Sequence, residues 1–128
     1  MTSERDLRRK RILVVDDEVD AAEGLGLLLR VERHTVQLAF SGQEALAIAD
    51  RFKPEIAVLD LGMPIMDGYE LAQRLRRPTQ HSALQLIALT GWDDWDHRLR
   101  AKSAGFDIFQ VKPINPQTFL SLIESLTE

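Results

Sequence analysis

Apolar residues follow two rhythms along this chain, and the rhythms alternate. Largely apolar runs at 12–15, 56–59, 84–89 and 108–111 have the length and density of strands buried on both faces of a parallel sheet. A fifth run, 35–39, alternates Val36 and Leu38 with polar neighbours, as a half-buried strand at a sheet edge does. Between the runs, apolar residues recur at helical spacing. Val19, Ala22, Leu25, Leu28 and Leu29 predict a helix over 18–31, which Gly24 and Gly26 weaken. Ala45, Leu46, Ile48 and Ala49 predict a second helix, opened by a Ser41–Glu44 capping box and stopped by Pro54. Asp67 and Glu70 open a third, 67–76, with Leu71 and Leu75 inward, Arg74, Arg76 and Arg77 at its negative end and Pro78 as its stop. Acids at the start and Gly105 past the end predict a fourth over 93–104. Asn115 and Pro116 begin the last, with Phe119, Leu122, Ile123 and Leu126 as its stripe.

Strands alternating with helices imply a parallel α/β sheet with right-handed crossovers and helices on both faces. Four of the strands end in polar residues: Asp16 and Asp17, Asp60, Thr90, and Lys112. All would lie along one edge of the sheet, the edge where open α/β sheets bind ligands. Strand order decides whether they meet. In order 2-1-3-4-5, the flavodoxin-like, doubly wound arrangement, strand 3 lies between strands 1 and 4 and the set converges; in order 3-2-1-4-5 Asp60 is stranded. The first order is therefore expected.

A chain of 128 residues suffices for one domain with its own core. Residues 1–11 are too charged to pack and read as a flexible leader, leaving 12–128 as the folded domain. Cysteine is absent, which excludes disulfides, thiolate metal sites and thiol nucleophiles. The net charge of −4 gives no general attraction to nucleic acid, and no apolar run is long enough for membrane insertion. A cytoplasmic location is expected. His34, His81 and His97 lack ligand spacing and read as surface residues.

Three carboxylates in one pocket raise one another's pKa unless positive charge intervenes. Hard oxygen donors without His or Cys favour Mg²⁺, which retains waters and leaves room for a phosphoryl group. Lys112 adds a point charge, Thr90 a hydroxyl, and Asp60 a carboxylate able to form an aspartyl phosphate.

The motifs VVDDE at 14–18, VLDLGMPIMDGYEL at 58–71, LTG at 89–91 and VKP at 111–113 resemble, in order and spacing, the receiver domains of bacterial two-component response regulators. The likeness runs from about Lys10 onward. It implies Asp60 as phosphoacceptor, with Mg²⁺ held by Asp16, Asp17, Asp60 and the Gly62 carbonyl. It also implies Thr90 as switch hydroxyl, Lys112 as phosphoryl-binding lysine, Phe109 as switch aromatic, and a cis bond before Pro113. The implied partners are a histidine kinase or histidine phosphotransfer protein and a downstream protein target engaged through the face of helix 4, strand 5 and helix 5, with no direct contact to nucleic acid. Such a chain accepts a phosphoryl group and is not a turnover enzyme. The LTGW phrase and charged leader resemble receivers of hybrid histidine kinases. Trp92, two residues past Thr90, is expected to control water access to the site.

Other readings fit less well. A flavodoxin needs a hydroxyl- and glycine-rich phosphate loop where this chain has DDEVD. An Asp-nucleophile phosphatase normally has a second acid where this chain has Gly62. The remaining alternative is a degenerate receiver that binds proteins without phosphorylation.

Overall fold

The computed structural model describes residues 9–77 and 83–126. Its elements are β1 (Arg11–Val15), α1 (Val19–Val31), β2 (Thr35–Ala39), α2 (Gly42–Phe52), β3 (Ile56–Asp60), α3 (Gly68–Arg76), β4 (Gln85–Thr90), α4 (Trp95–Ala104), β5 (Ile108–Val111) and α5 (Pro116–Ser125). All strand pairs are parallel, in the order β2-β1-β3-β4-β5. This is the flavodoxin-like order expected from the convergent polar ends.

The strand period of two divides the core into two layers. Leu13, Val15, Ala57, Leu59, Leu86 and Ala88 pack with α2, α3 and α4 through Ala45, Ala49, Leu71, Leu75 and Ala101. Ile12, Val14, Ile56, Val58, Ile87 and Leu89 pack with α1 and α5 through Ala22, Leu29, Phe119 and Ile123. Each fully buried Leu or Ile contributes roughly 1.5–3 kcal/mol. The central strands thus lock from both sides, and only their ends are free to carry chemistry.

Local differences from the sequence reading have physical causes. Helix α1 begins at Val19, with Glu18 at the cap position but making no side-chain cap bond. Gly26 serves packing, since a Cβ there would lie 2.8 Å from a Leu38 methyl. The Ser41 hydroxyl accepts from the Glu44 N–H at 3.1 Å, and Glu44 returns to the Phe40 N–H at 3.3 Å. At α3 the box is half made: Asp67 accepts from the Glu70 N–H, while the Glu70 carboxylate turns to Arg74 at 2.8 Å. Helix α4 starts at Trp95 because Asp94, not Asp93, takes the cap, accepting from the His97 N–H at 2.9 Å.

Two polar residues behave unlike the expectation. His34 is not a surface residue but buried, its Nδ1 accepting the Lys10 N–H at 3.1 Å. That bond fixes the neutral ring with its proton on Nε2. Arg76 does more than complement a helix end. Its guanidinium donates to the carbonyls of Gly105 and Leu84 and pairs with Asp107 at 2.6 Å, tying α3 to the turn before β5. Pro78 and His81 lie outside the described residues, as does most of the leader.

Candidate functional site

The strand ends at the carboxyl edge of the sheet deliver their polar residues to one place. Asp60 closes β3, opposite Leu89 of β4, and the Leu61 N–H continues the ladder to the Leu89 carbonyl at 3.0 Å. The chain then loops out and returns when the Gly68 N–H reaches the Leu61 carbonyl at 3.2 Å. Gly68 permits that return: a Cβ there would sit 2.5 Å from the Asp60 carbonyl oxygen and 2.8 Å from the Leu61 Cα. Within the loop, the Met66 N–H bonds to the Pro64 carbonyl at 2.8 Å around Ile65, whose φ of 68° is a strained value for a β-branched residue.

Asp16, Asp17 and Asp60 each offer a carboxylate oxygen within 4.8 Å of the others. Asp16 and Asp60 are buried, at 5% and 9% exposure, whereas Asp17 is open to solvent. Asp16 is aimed by the Glu18 N–H, which donates to its Oδ1 at 3.0 Å. Asp60 Oδ1 accepts the Gly62 N–H at 3.3 Å. Lys112 stands between the two buried acids, its Nζ 3.3 Å from Asp16 Oδ2 and 3.5 Å from Asp60 Oδ1.

One ammonium does not balance this cluster. Burial, then the Asp16 charge, push the Asp60 carboxyl above its ordinary range, against the opposing pull of Lys112 and the Gly62 N–H. For Lys112, burial acts downward but is outweighed by Asp60 and Asp16, so its pKa is raised and it stays charged. A compact set of hard oxygen donors with surplus negative charge fits a divalent cation of the Mg²⁺ type.

Thr90 is buried, and its hydroxyl accepts the Trp92 N–H at 3.0 Å. Its carbonyl accepts the Lys112 N–H at 2.7 Å, joining the β4 and β5 ends. The Lys112–Pro113 bond is cis. Trp92 is 52% exposed, and its ring edge lies near the loop beside Asp60, 3.5 Å from where a Gly62 Cβ would be. Phe109 is half-buried against the α2–α3–α4 layer, and the Arg98 guanidinium covers its ring at 4.7 Å.

The strand-end residues were legible from the sequence; their neighbours were not. Arg98 also pairs with Asp93 at 2.7 Å, and His97 with Asp94 at 2.7 Å. The signal for the second pair was Asp94 three residues before His97, the cap spacing with an imidazole in place of the usual Glu or Gln. Tyr69, whose buried hydroxyl has no hydrogen-bond partner among the described residues, lies under the Arg100 guanidinium at 4.0 Å.

Known proteins resemble this chain in sequence and fold. A 14.6 kDa protein of Leptolyngbya boryana, of uncharacterised function, is 36% identical over 92% of this chain and 90% of its own length. The probable transcriptional regulator ycf27 of Cyanophora paradoxa is also 36% identical, over 94% of this chain but 49% of its own length, so the chain spans about half of that relative. The chemotaxis protein CheY4 of Vibrio cholerae superposes with a TM-score of 0.88 at 27% identity, covering 92% of this chain and 98% of CheY4. The response regulator receiver domain matches residues 12–124, from the first buried strand to the last helix, and a match of that extent makes this chain a member of the response regulator receiver domain family.

Proposed function

We propose that Asp60 accepts a phosphoryl group from a phosphohistidine on a histidine kinase or histidine phosphotransfer protein. An Asp60 carboxylate oxygen bonds to phosphorus as the phosphorus–nitrogen bond breaks, and the donor imidazole leaves with the electron pair. The observation that carries this reading is the contact of Lys112 with both buried acids at the strand ends. An ammonium beside the accepting carboxylate would meet the phosphoryl oxygens there.

Asp16, Asp17 and Asp60, with the Gly62 carbonyl, are the residues that would hold Mg²⁺. Bound there, the ion would neutralise the carboxylates and the incoming phosphoryl oxygens. The Thr90 hydroxyl, which accepts from Trp92, retains its own proton to donate to a phosphoryl oxygen. Its movement vacates space for the Phe109 ring, and the face of α4, β5 and α5 changes for a downstream protein target. Trp92, close to Gly62, limits water access to the phosphorylated carboxyl. The chain is an acceptor, not a turnover enzyme, and works in the cytoplasm. Among the described residues no helix is long and apolar enough to cross a membrane.

The test is intact mass after brief incubation with Mg²⁺ and acetyl phosphate, beside Asp60→Asn and an EDTA control. One phosphoryl adduct, lost in the variant and without metal, is expected. No adduct, together with no Mg²⁺ binding, would favour the alternative of a degenerate, phosphorylation-independent binding module.

A further inference from the structure

We infer that His97 is a positioning residue for the phosphorylated site, acting through Trp92. The inference rests on the phosphoacceptor reading of Asp60 and adds what sets the lifetime of the phosphorylated state in this chain. The indole of Trp92 lies near Gly62 on one side, so that a Cβ added there would be 3.5 Å from the ring. Its ring also stacks on the His97 imidazole, with centroids 5.1 Å apart and planes inclined by 15°.

The imidazole is itself held. Asp94 Oδ2 lies 2.7 Å from His97 Nδ1, while Asp94 Oδ1 accepts the His97 backbone N–H at 2.9 Å. One carboxylate therefore fixes both the helix start and the ring direction. The same contacts, backbone N–H first and ring second, hold the Asp94 carboxyl below its ordinary range. The order of support is Asp94, His97, Trp92, Gly62, and Gly62 donates to Asp60 Oδ1.

An indole 52% exposed on a loop has little burial to keep it in place, so the stacked ring supplies what the core does not. Its position matters because of how an acyl phosphate is lost. A water oxygen bonds to phosphorus, the bond from phosphorus to the Asp60 oxygen breaks, the carboxylate keeps the electron pair, and the water proton passes to solvent. An indole over the Gly62 loop narrows the approach for that water. Without His97 the indole is released and hydrolysis accelerates.

The experiment uses a Trp95→Phe background, which leaves Trp92 as the remaining indole of the chain's two tryptophans. Acrylamide quenching of Trp92 is measured without phosphorylation, and adduct decay is followed by mass after acetyl phosphate is removed. The variants are His97→Ala, His97→Phe, Trp92→Ala and the double variant His97→Ala/Trp92→Ala. The His97→Ala change keeps the backbone bond to Asp94, so the start of α4 is retained.

Expected are stronger quenching and a severalfold faster decay in His97→Ala, near-parental decay in His97→Phe, and no further acceleration when His97→Ala is added to Trp92→Ala. Unchanged quenching and decay in His97→Ala would overturn the inference, as would equal acceleration in the presence and absence of Trp92. A parent protein that takes up no phosphoryl group would instead overturn the phosphoacceptor reading, and this inference with it.

Discussion

Lys112 Nζ and Asp60 Oδ1 lie 3.5 Å apart, yet the Asp60 carboxyl is still held above its ordinary range by burial and by Asp16. The folded protein therefore resists ionising Asp60 more than the unfolded chain does. For a carboxyl with a raised folded pKa, the stability present at acid pH is lost as pH rises from the unfolded pKa through the folded one. Asp60→Asn is expected to stabilise the metal-free protein by about 1 kcal/mol, and Mg²⁺ to raise the melting midpoint of the parent more than that of the variant. Thermal melts with Mg²⁺ or with EDTA would show this. A variant less stable than its parent in EDTA would count against a strained acid.

His34 gives a pH dependence of opposite sign. Burial lowers its pKa from 6.5, because the folded state needs a neutral ring to accept the Lys10 N–H. The unfolded chain then binds the proton first, and stability falls as pH drops through 6.5 towards the lower folded value. Denaturant titrations of His34→Gln should show a flatter dependence in that window, together with a lower stability at pH 8 from the imperfect fit. An unchanged slope would remove His34 as the titrating group.

Gly68 is a second pressure point, since any Cβ there meets the backbone of Asp60 and Leu61. Gly68→Ala should cost ~1–3 kcal/mol, the range for overpacking, and slow phosphoryl uptake because Asp60 itself is pushed. Chemical denaturation and the acetyl phosphate reaction together would separate this from a harmless change at a helix start.

Ile65 is fully exposed and holds a φ of 68° that a β-branched side chain resists by ~1–2 kcal/mol. Ile65→Asn should therefore stabilise the fold by up to about 1 kcal/mol, visible as a higher urea midpoint at constant m. A loss of stability would mean that Ile65 makes contacts that outweigh the strain.

The alternation of buried strands and amphipathic helices was readable because period and capping act over short stretches. So were Asp16, Asp17, Asp60, Thr90 and Lys112, since each interrupts an apolar run at the same end. Strand order followed from chemistry more than from pattern. What escaped the sequence depends on distance across the fold. His34 read as a surface residue until the arrival of Lys10 gave its ring a donor. Arg76 looked like a helix-end charge until Gly105 and Asp107 came to it from the far side of α4. The contacts of Arg98 with Phe109 and of His97 with Trp92 are likewise set by how α4 lies on the sheet.

The pairing of Lys112 with Asp16 joins residues 96 positions apart, the first and last strands of the chain contributing to one pocket. Closing a loop of that length costs conformational entropy that the contact must offset. A folding intermediate with β1, β3 and β4 assembled but β5 undocked would already expose the acids and lack the ammonium. On the phosphoacceptor reading of Asp60, competence to receive a phosphoryl group would then coincide with completion of the sheet.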